Sequence, residues 1–327
     1  IYGFQPLETP AMENLETLMG KYGEEGDKLV YRVLDSGSPF PESFFKDFIE
    51  MLSHYNEQAK SYTRHIDPEI KGPLEIPITN MNPEILKAYS KILFESKSYL
   101  PKLKNEVSDK ALKYDLTIPF ARYVAMNHGQ LSFPFKRYQV QPVWRADRPQ
   151  KGRYREFTQC DADVVGSTAL INEVELVLIY HTVFNRLGLK EYALKINSRK
   201  ILTALAEQCG GADKMTDISI AIDKLDKIGL EKVKAELLQR GLNTGQVILI
   251  EKYLNIGGSN EEKLAAIQTL FPENQHAVSG AADLAFILGK TKEANIEIDF
   301  TLARGLNYYT GAIFEAKAPD KVKMGSI

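Results

Sequence analysis

Residues 137–166 read RYQVQPVWRADRPQKGRYREFTQCDADVVG. The stretch predicts a strand, an arginine-rich loop and a second strand. Arg145, Arg148, Lys151, Arg153 and Arg155 crowd the connection, and Asp147 and Glu156 are its only acids. The second strand places Gln159, Asp161 and Asp163 at alternate positions, so these three share one face. Polar groups on one strand face beside an arginine cluster point to a site for a phosphate and a small cationic or amide-bearing ligand. Taken alone, the same residues would also suit a solvated hairpin with a charged turn.

Working outward, the 327 residues are more than one average domain needs and leave room for an inserted unit. Forty-one basic against 43 acidic residues leave a net charge of −2, so no global field draws in nucleic acid. Polynucleotide binding would need a local patch, and residues 145–155 are the obvious one. The two cysteines, Cys160 and Cys209, form neither a CxxC pair nor a disulfide framework, which fits a reducing cytoplasm. The five histidines show no ligand-like spacing, so no metal held by protein ligands alone is expected. No apolar run is long enough to span a membrane. The chain opens at Ile1 and stops at Ile327 without capping signals, and is expected to be a fragment.

Along the chain, the pattern predicts a short strand over 1–10, a helix over 12–22 and a strand over 29–34. Helices are expected near 42–59 and 82–94, the latter with Pro83 in its first turn. A turn at Asp115-Leu116-Thr117 leads into a helix with Pro119 in its first turn. Residues 167–187 read as an apolar helix capped by Ser167 or Thr168 and stopped by Gly188, and 192–197 as a strand. From residue 199 the texture becomes helical, punctuated by glycines. Strands return over 296–315 as a hairpin around Gly305 or Gly311. The expectation is an α+β fold: a mostly antiparallel sheet flanked by helices, with a helical insertion over 199–295 between core segments 1–198 and 296–327. Neither GxxxxGK[ST] nor GxGxxG occurs, so a bound nucleotide would have to be held by arginines.

Three segments then align: LKYDLT over 112–117, the arginine hairpin, and ARGLNYYTG over 303–311. Together they closely resemble the histidyl-tRNA synthetases, a class II aminoacyl-tRNA synthetase family, over most of the chain. The resemblance implies ligation of histidine to tRNA(His), with ATP and its bound Mg2+ as co-substrate. Arg145 matches the motif 2 arginine on the ATP α-phosphate, and Asp147 and Arg153 lie in the same nucleotide-binding loop. Arg304 matches the arginine that faces the α-phosphate in place of a metal. Asp115, Thr117 and Gln159 match the residues holding the amino group of histidine. Asp163 and Tyr309 match the pair reading its ring, with Tyr308 beside them. Arg148 and Lys151 are candidate tRNA contacts. Gln159 and Asp163 lie four residues apart, about 13 Å along a strand, so both reach one amino acid only if their side chains lean inward or the strand twists.

The resemblance further implies a homodimer through motif 1 near Pro10, a cytoplasmic location and an insertion domain that meets the tRNA acceptor arm. It places motif 3 and the anticodon-binding domain beyond Ile327. Asn307 departs from the Asp common at that position. A non-catalytic relative is the alternative. Such relatives tend to lose the arginines or the histidine-reading residues, and these are present here.

Overall fold

The computed structural model describes residues 2–20, 27–33, 108–149, 152–303 and 310–317. The helices expected at 42–59 and 82–94 lie outside these residues, as do Lys151, Arg304, Tyr308 and Tyr309. The chain divides into two compact units. One comprises Ile1–Leu7, Gln130–Tyr138 and Ala162–Ile327; the other comprises Glu8–Gly129 and Gln139–Asp161.

The hairpin forms as its pattern predicts. Strand β5 spans Phe135–Trp144 and β6 spans Glu156–Val165. Along β5, Phe135, Arg137, Gln139 and Val143 are buried while Tyr138, Val140 and Pro142 are exposed, the period-2 signature of a strand with one covered face. Strand β1 (Gln5–Pro6) runs parallel to β5, with Gln5 opposite Arg137, so β5 is the central strand of a β1-β5-β6 sheet.

In the second unit, β2 (Met12–Asn14) and β3 (Tyr31–Val33) flank β4 (Lys110–Leu112) in an antiparallel sheet. The helix expected over 12–22 is therefore corrected: only α1 (Leu15–Leu18) is helical, and Met12–Asn14 is a strand. Pairing with β4, continued by Leu15 N–H donating to Asp109 O at 2.8 Å, overrides the local helical preference. Leu15 and Leu18 then bury against Ala111 and Tyr114. Helix α2 (Thr117–Asn127) follows the Asp-Leu-Thr turn with Pro119 in its first turn, where the missing N–H costs nothing.

In the first unit, α3 spans Ile171–Arg186. It starts later than the sequence implies and has no side-chain cap. Ser167 Oγ instead accepts from Ala169 N–H and from Asn172 Nδ2. Strand β7 (Ala193–Ser198) leads into seven α-helices: α4 (Arg199–Gln208), α5 (Met215–Ile222), α6 (Leu225–Ile228), α7 (Leu230–Gln239), α8 (Thr244–Leu254), α9 (Asn260–Leu270) and α10 (Gln275–Lys290). Capping boxes start two of them, Asn243 with Gln246 and Ser259 with Glu262.

Strands β8 (Ile296–Ile298) and β9 (Ala312–Lys317) close the described chain. They are not the expected hairpin. Both pair with β7, β8 in parallel and β9 antiparallel, so β7 lies between them. The apolar run after Ile298 also stops being a strand, because Asp299 Oδ1 accepts from Thr301 N–H and Oγ1 and turns the backbone. Helices and sheet share one core: Leu194, Ile196, Ile298 and Ile313 bury with Ile201, Leu205, Ile250, Ala281 and Leu284. Among the described residues, no helix is long and apolar enough to cross a membrane.

Candidate active site

Arg145 stands where β5 ends. Its N–H donates to Arg155 O at 2.8 Å, closing the mouth of the loop. Its Nε donates to Tyr114 O at 3.0 Å, and its guanidinium carbon lies 5.0 Å from the Phe157 ring centroid. One backbone carbonyl and one aromatic face thus fix the side chain. Both terminal nitrogens are left without a protein partner among the described residues. A planar fork held by its stem and open at its tip suits a bidentate oxyanion. No ion pair joins Arg145 to Asp147 among the described residues. Asp147 Oδ2 lies 3.9 Å from Arg153, and Asp147 O accepts from Arg155 Nε at 3.3 Å. Arg148 and Arg153 are exposed on this loop.

The 113–117 segment is stitched to the same strand end, with Trp144 N–H donating to Lys113 O at 3.0 Å. Asp115 is buried, and its Oδ1 accepts from Ile118 N–H at 3.3 Å at the start of α2, where a carboxylate meets the positive end of the helix. Thr117 is exposed in the first helical turn. Tyr114 is buried, and its phenol pKa is driven upward, first by desolvation, then by the Asp115 and Asp27 charges, against a smaller pull from Arg145. Its hydroxyl is therefore a neutral group at working pH. On β6, Gln159 Oε1 is shielded from solvent with no hydrogen-bond partner among the described residues. An orphaned buried acceptor costs about 1–3 kcal/mol and marks a place where a ligand donor would be satisfied.

In the other unit, Asp163 is paired with Arg137, Nη2 lying 2.8 Å from Oδ2. The sequence reading missed Arg137. It also missed a group that grips the chain just before and just after residues 304–309. Asn197 Nδ2 donates to Leu302 O at 2.9 Å, Arg199 Nη1 donates to Ala303 O at 3.2 Å, and Arg199 N–H donates to Gly311 O at 2.8 Å. Arg199 is buried, and desolvation lowers its pKa. The available signal was a charged residue at an inward-facing or junction position, where solvation gives no reason for it.

The described candidates thus gather in two places: Arg145, Asp115, Thr117, Asp147, Arg148, Arg153 and Gln159 in one unit, Asp163 with Arg137 in the other. The family model described as histidyl-tRNA synthetase matches residues 96–324, more than half of the chain. The chain belongs to the histidyl-tRNA synthetase family. It is 46% identical to the histidine–tRNA ligase of Flavobacterium johnsoniae over all of its own length and 64% of that relative. It is likewise 46% identical to the Bacteroides fragilis enzyme, covering 62% of it. The chain therefore spans somewhat less than two thirds of these curated relatives. Among solved histidyl-tRNA synthetases, the Nostoc structure superposes with a TM-score of 0.66 at 27% identity, over 96% of this chain and 57% of that one. A Bacillus halodurans structure described as an ATP phosphoribosyltransferase regulatory subunit/histidyl-tRNA synthetase gives 0.67 at 16% identity, over 98% of this chain and 65% of that one, a likeness of fold. The α+β class read from the sequence is the fold of these histidyl-tRNA synthetase structures.

Proposed function

We propose that the protein carrying this chain is a histidine–tRNA ligase. It would join histidine and ATP into histidyl-adenylate with release of pyrophosphate, then pass the histidyl group to the 3′ end of tRNA(His). The observation that carries this reading is the Arg145 fork, anchored through Nε on Tyr114 O with its tip unpaired among the described residues. An α-phosphate supplies the missing partner, and attack by the histidine carboxylate develops charge there that a preorganised guanidinium offsets. Arg304 is assigned to the same phosphate, with Asp147 and Arg153 to the nucleotide. Asp115, Thr117 and Gln159 are assigned to the amino group of histidine. Asp163 and Tyr309 are assigned to its ring, with Tyr308 adjacent. Among the described residues no three His, Cys, Asp or Glu side chains gather as an ion site. Mg2+ enters this reading with ATP, as part of the substrate.

In the same reading, residues 199–295 form the insertion domain and approach the tRNA acceptor arm, assisted by Arg148 and Lys151. The protein would be a cytoplasmic homodimer. The test is histidine-dependent ATP–pyrophosphate exchange by the full-length protein, with the other amino acids as controls. Exchange that requires histidine supports the ligase. Histidine binding without exchange would favour the non-catalytic relative.

A further inference from the structure

Arg137 is a wholly buried arginine on the central strand of its sheet, with Nη2 2.8 Å from Asp163 Oδ2. Burying a guanidinium costs several kcal/mol before any partner is counted, and a buried pair is often no more stabilising than apolar side chains of the same volume. Packing therefore gives little reason for a charge at this position. Asp163 is different: its side chain keeps 24% of its exposure, so it can meet a ligand while Arg137 holds it from behind.

We propose that Arg137 is a positioning residue that fixes the direction of the Asp163 carboxylate and cancels its charge, so that the site takes the neutral ring of histidine and not the imidazolium. The inference rests on the reading of Asp163 as a ring-binding group. A lone carboxylate beside an imidazole favours the protonated ring and raises its pKa. With a guanidinium 2.8 Å from that carboxylate, the pair is neutral overall and a second proton on the ring gains little. A neutral imidazole offers one N–H and one lone pair. Asp163 accepts the N–H and leaves the second nitrogen as an acceptor for a hydroxyl donor. The same neutrality disfavours amino acids with cationic side chains.

Other charges on the flanking elements do not replace Arg137. Lys136, next to it on β5, is bound to Glu175 of α3. Glu173 of α3 and Asp161 of β6 are acids, so neither supplies the positive charge that Arg137 brings to Asp163. Gln5, opposite Arg137 on β1, is uncharged.

The experiment is the pH dependence of the histidine KM in ATP–pyrophosphate exchange, from pH 5.5 to 8, on the full-length protein. The variants are Arg137→Met, Arg137→Lys and Asp163→Asn. For the wild type, KM should rise up to about tenfold per pH unit below the free ring's pKa of about 6.5, because the neutral form becomes scarce. In Arg137→Met that rise should flatten or reverse, with KM about tenfold higher at pH 7.5 and KM for ATP unchanged. Arg137→Lys should restore the wild-type slope. A wild-type KM that falls as pH drops overturns the proposal without any variant, so it stays testable if Arg137→Met does not fold. A wild-type slope in a folded Arg137→Met overturns it equally. An unchanged KM in Asp163→Asn would instead remove the assignment of Asp163 itself, a separate failure.

Discussion

The tip of the Arg145 guanidinium and Gln159 Oε1 both lack a hydrogen-bond partner among the described residues, and this separates function from stability. Arg145→Lys keeps a charge but loses the fork and the Nε anchor on Tyr114 O. It should lower the single-turnover rate of adenylate formation about 10²-fold or more, and Arg145→Ala about 10³-fold. Rates within threefold of wild type for both would remove Arg145 from the chemistry. Gln159→Leu removes a buried acceptor that has no donor among the described residues. The ligand-free protein should gain about 1 kcal/mol or stay level, while histidine affinity falls at least tenfold. Calorimetric unfolding and histidine titration read the two effects, and loss of both stability and affinity would mean that Gln159 is structural. The residue types of both were legible in the sequence, because packing alone does not call for a polar strand face beside clustered arginines. Arg137 was not legible, since which acid a buried arginine meets depends on how neighbouring strands align.

Among the elements, those with a strong local period were read correctly: β5 and β6, α2 and the helical run after residue 199. The misread ones are set by distant partners. Residues 12–14 follow β4, and β8 and β9 each follow β7 and not one another. The helix contact that a sequence hides best is at Gly280 in α10. A Cβ there would lie 2.8 Å from Ile201 Cγ1, 3.0 Å from Ser198 Oγ and 3.2 Å from Ile201 N. Two of these belong to α4 and one is backbone, so the neighbours cannot simply turn away. Gly280→Ala should destabilise by about 1–3 kcal/mol despite a helix-propensity gain of about 1 kcal/mol. Gly289→Ala, in the same helix with nothing within 4 Å of the added Cβ, should be neutral or stabilising. Urea unfolding of the two variants side by side checks this, and equal midpoints would mean that α10 and α4 are not packed so closely.

For the chain as a whole, ionisation and core must be considered together. Burial raises the Cys209 thiol from 9.0 to about 11. A folded-state pKa above the unfolded one gives stability that is complete below about pH 9. It is lost as pH rises toward 11, because the unfolded chain releases the proton first. Cys209→Ala should reduce the fall in unfolding free energy between pH 9 and 11; an identical fall in the variant would place its cause elsewhere.

The larger question is whether residues 199–295 can be removed. Glycine-stopped helices in the sequence suggest a unit that closes on itself, yet α4 and α10 bury their apolar faces with β7, β8 and β9. Lys263 of α9 also donates to Ile298 O at 2.8 Å and to Glu297 at 2.9 Å. Deletion would uncover Leu194, Ile196, Ile298 and Ile313, each worth about 1.5–3 kcal/mol when buried. That loss is comparable with a whole domain's margin of about 5–15 kcal/mol. The connection fails as well. β7 and β8 are parallel, with Leu194 beside Ile296, and parallel neighbours need a crossover of about a dozen residues or more. A four-residue Gly-Ser bridge should therefore give insoluble protein. A bridge of about fifteen residues should restore the connection without covering the sheet, and leave a broad, non-cooperative thermal transition. A soluble deletion variant with cooperative unfolding and histidine-dependent exchange would mean that the helices do close on themselves and that the shared core is dispensable.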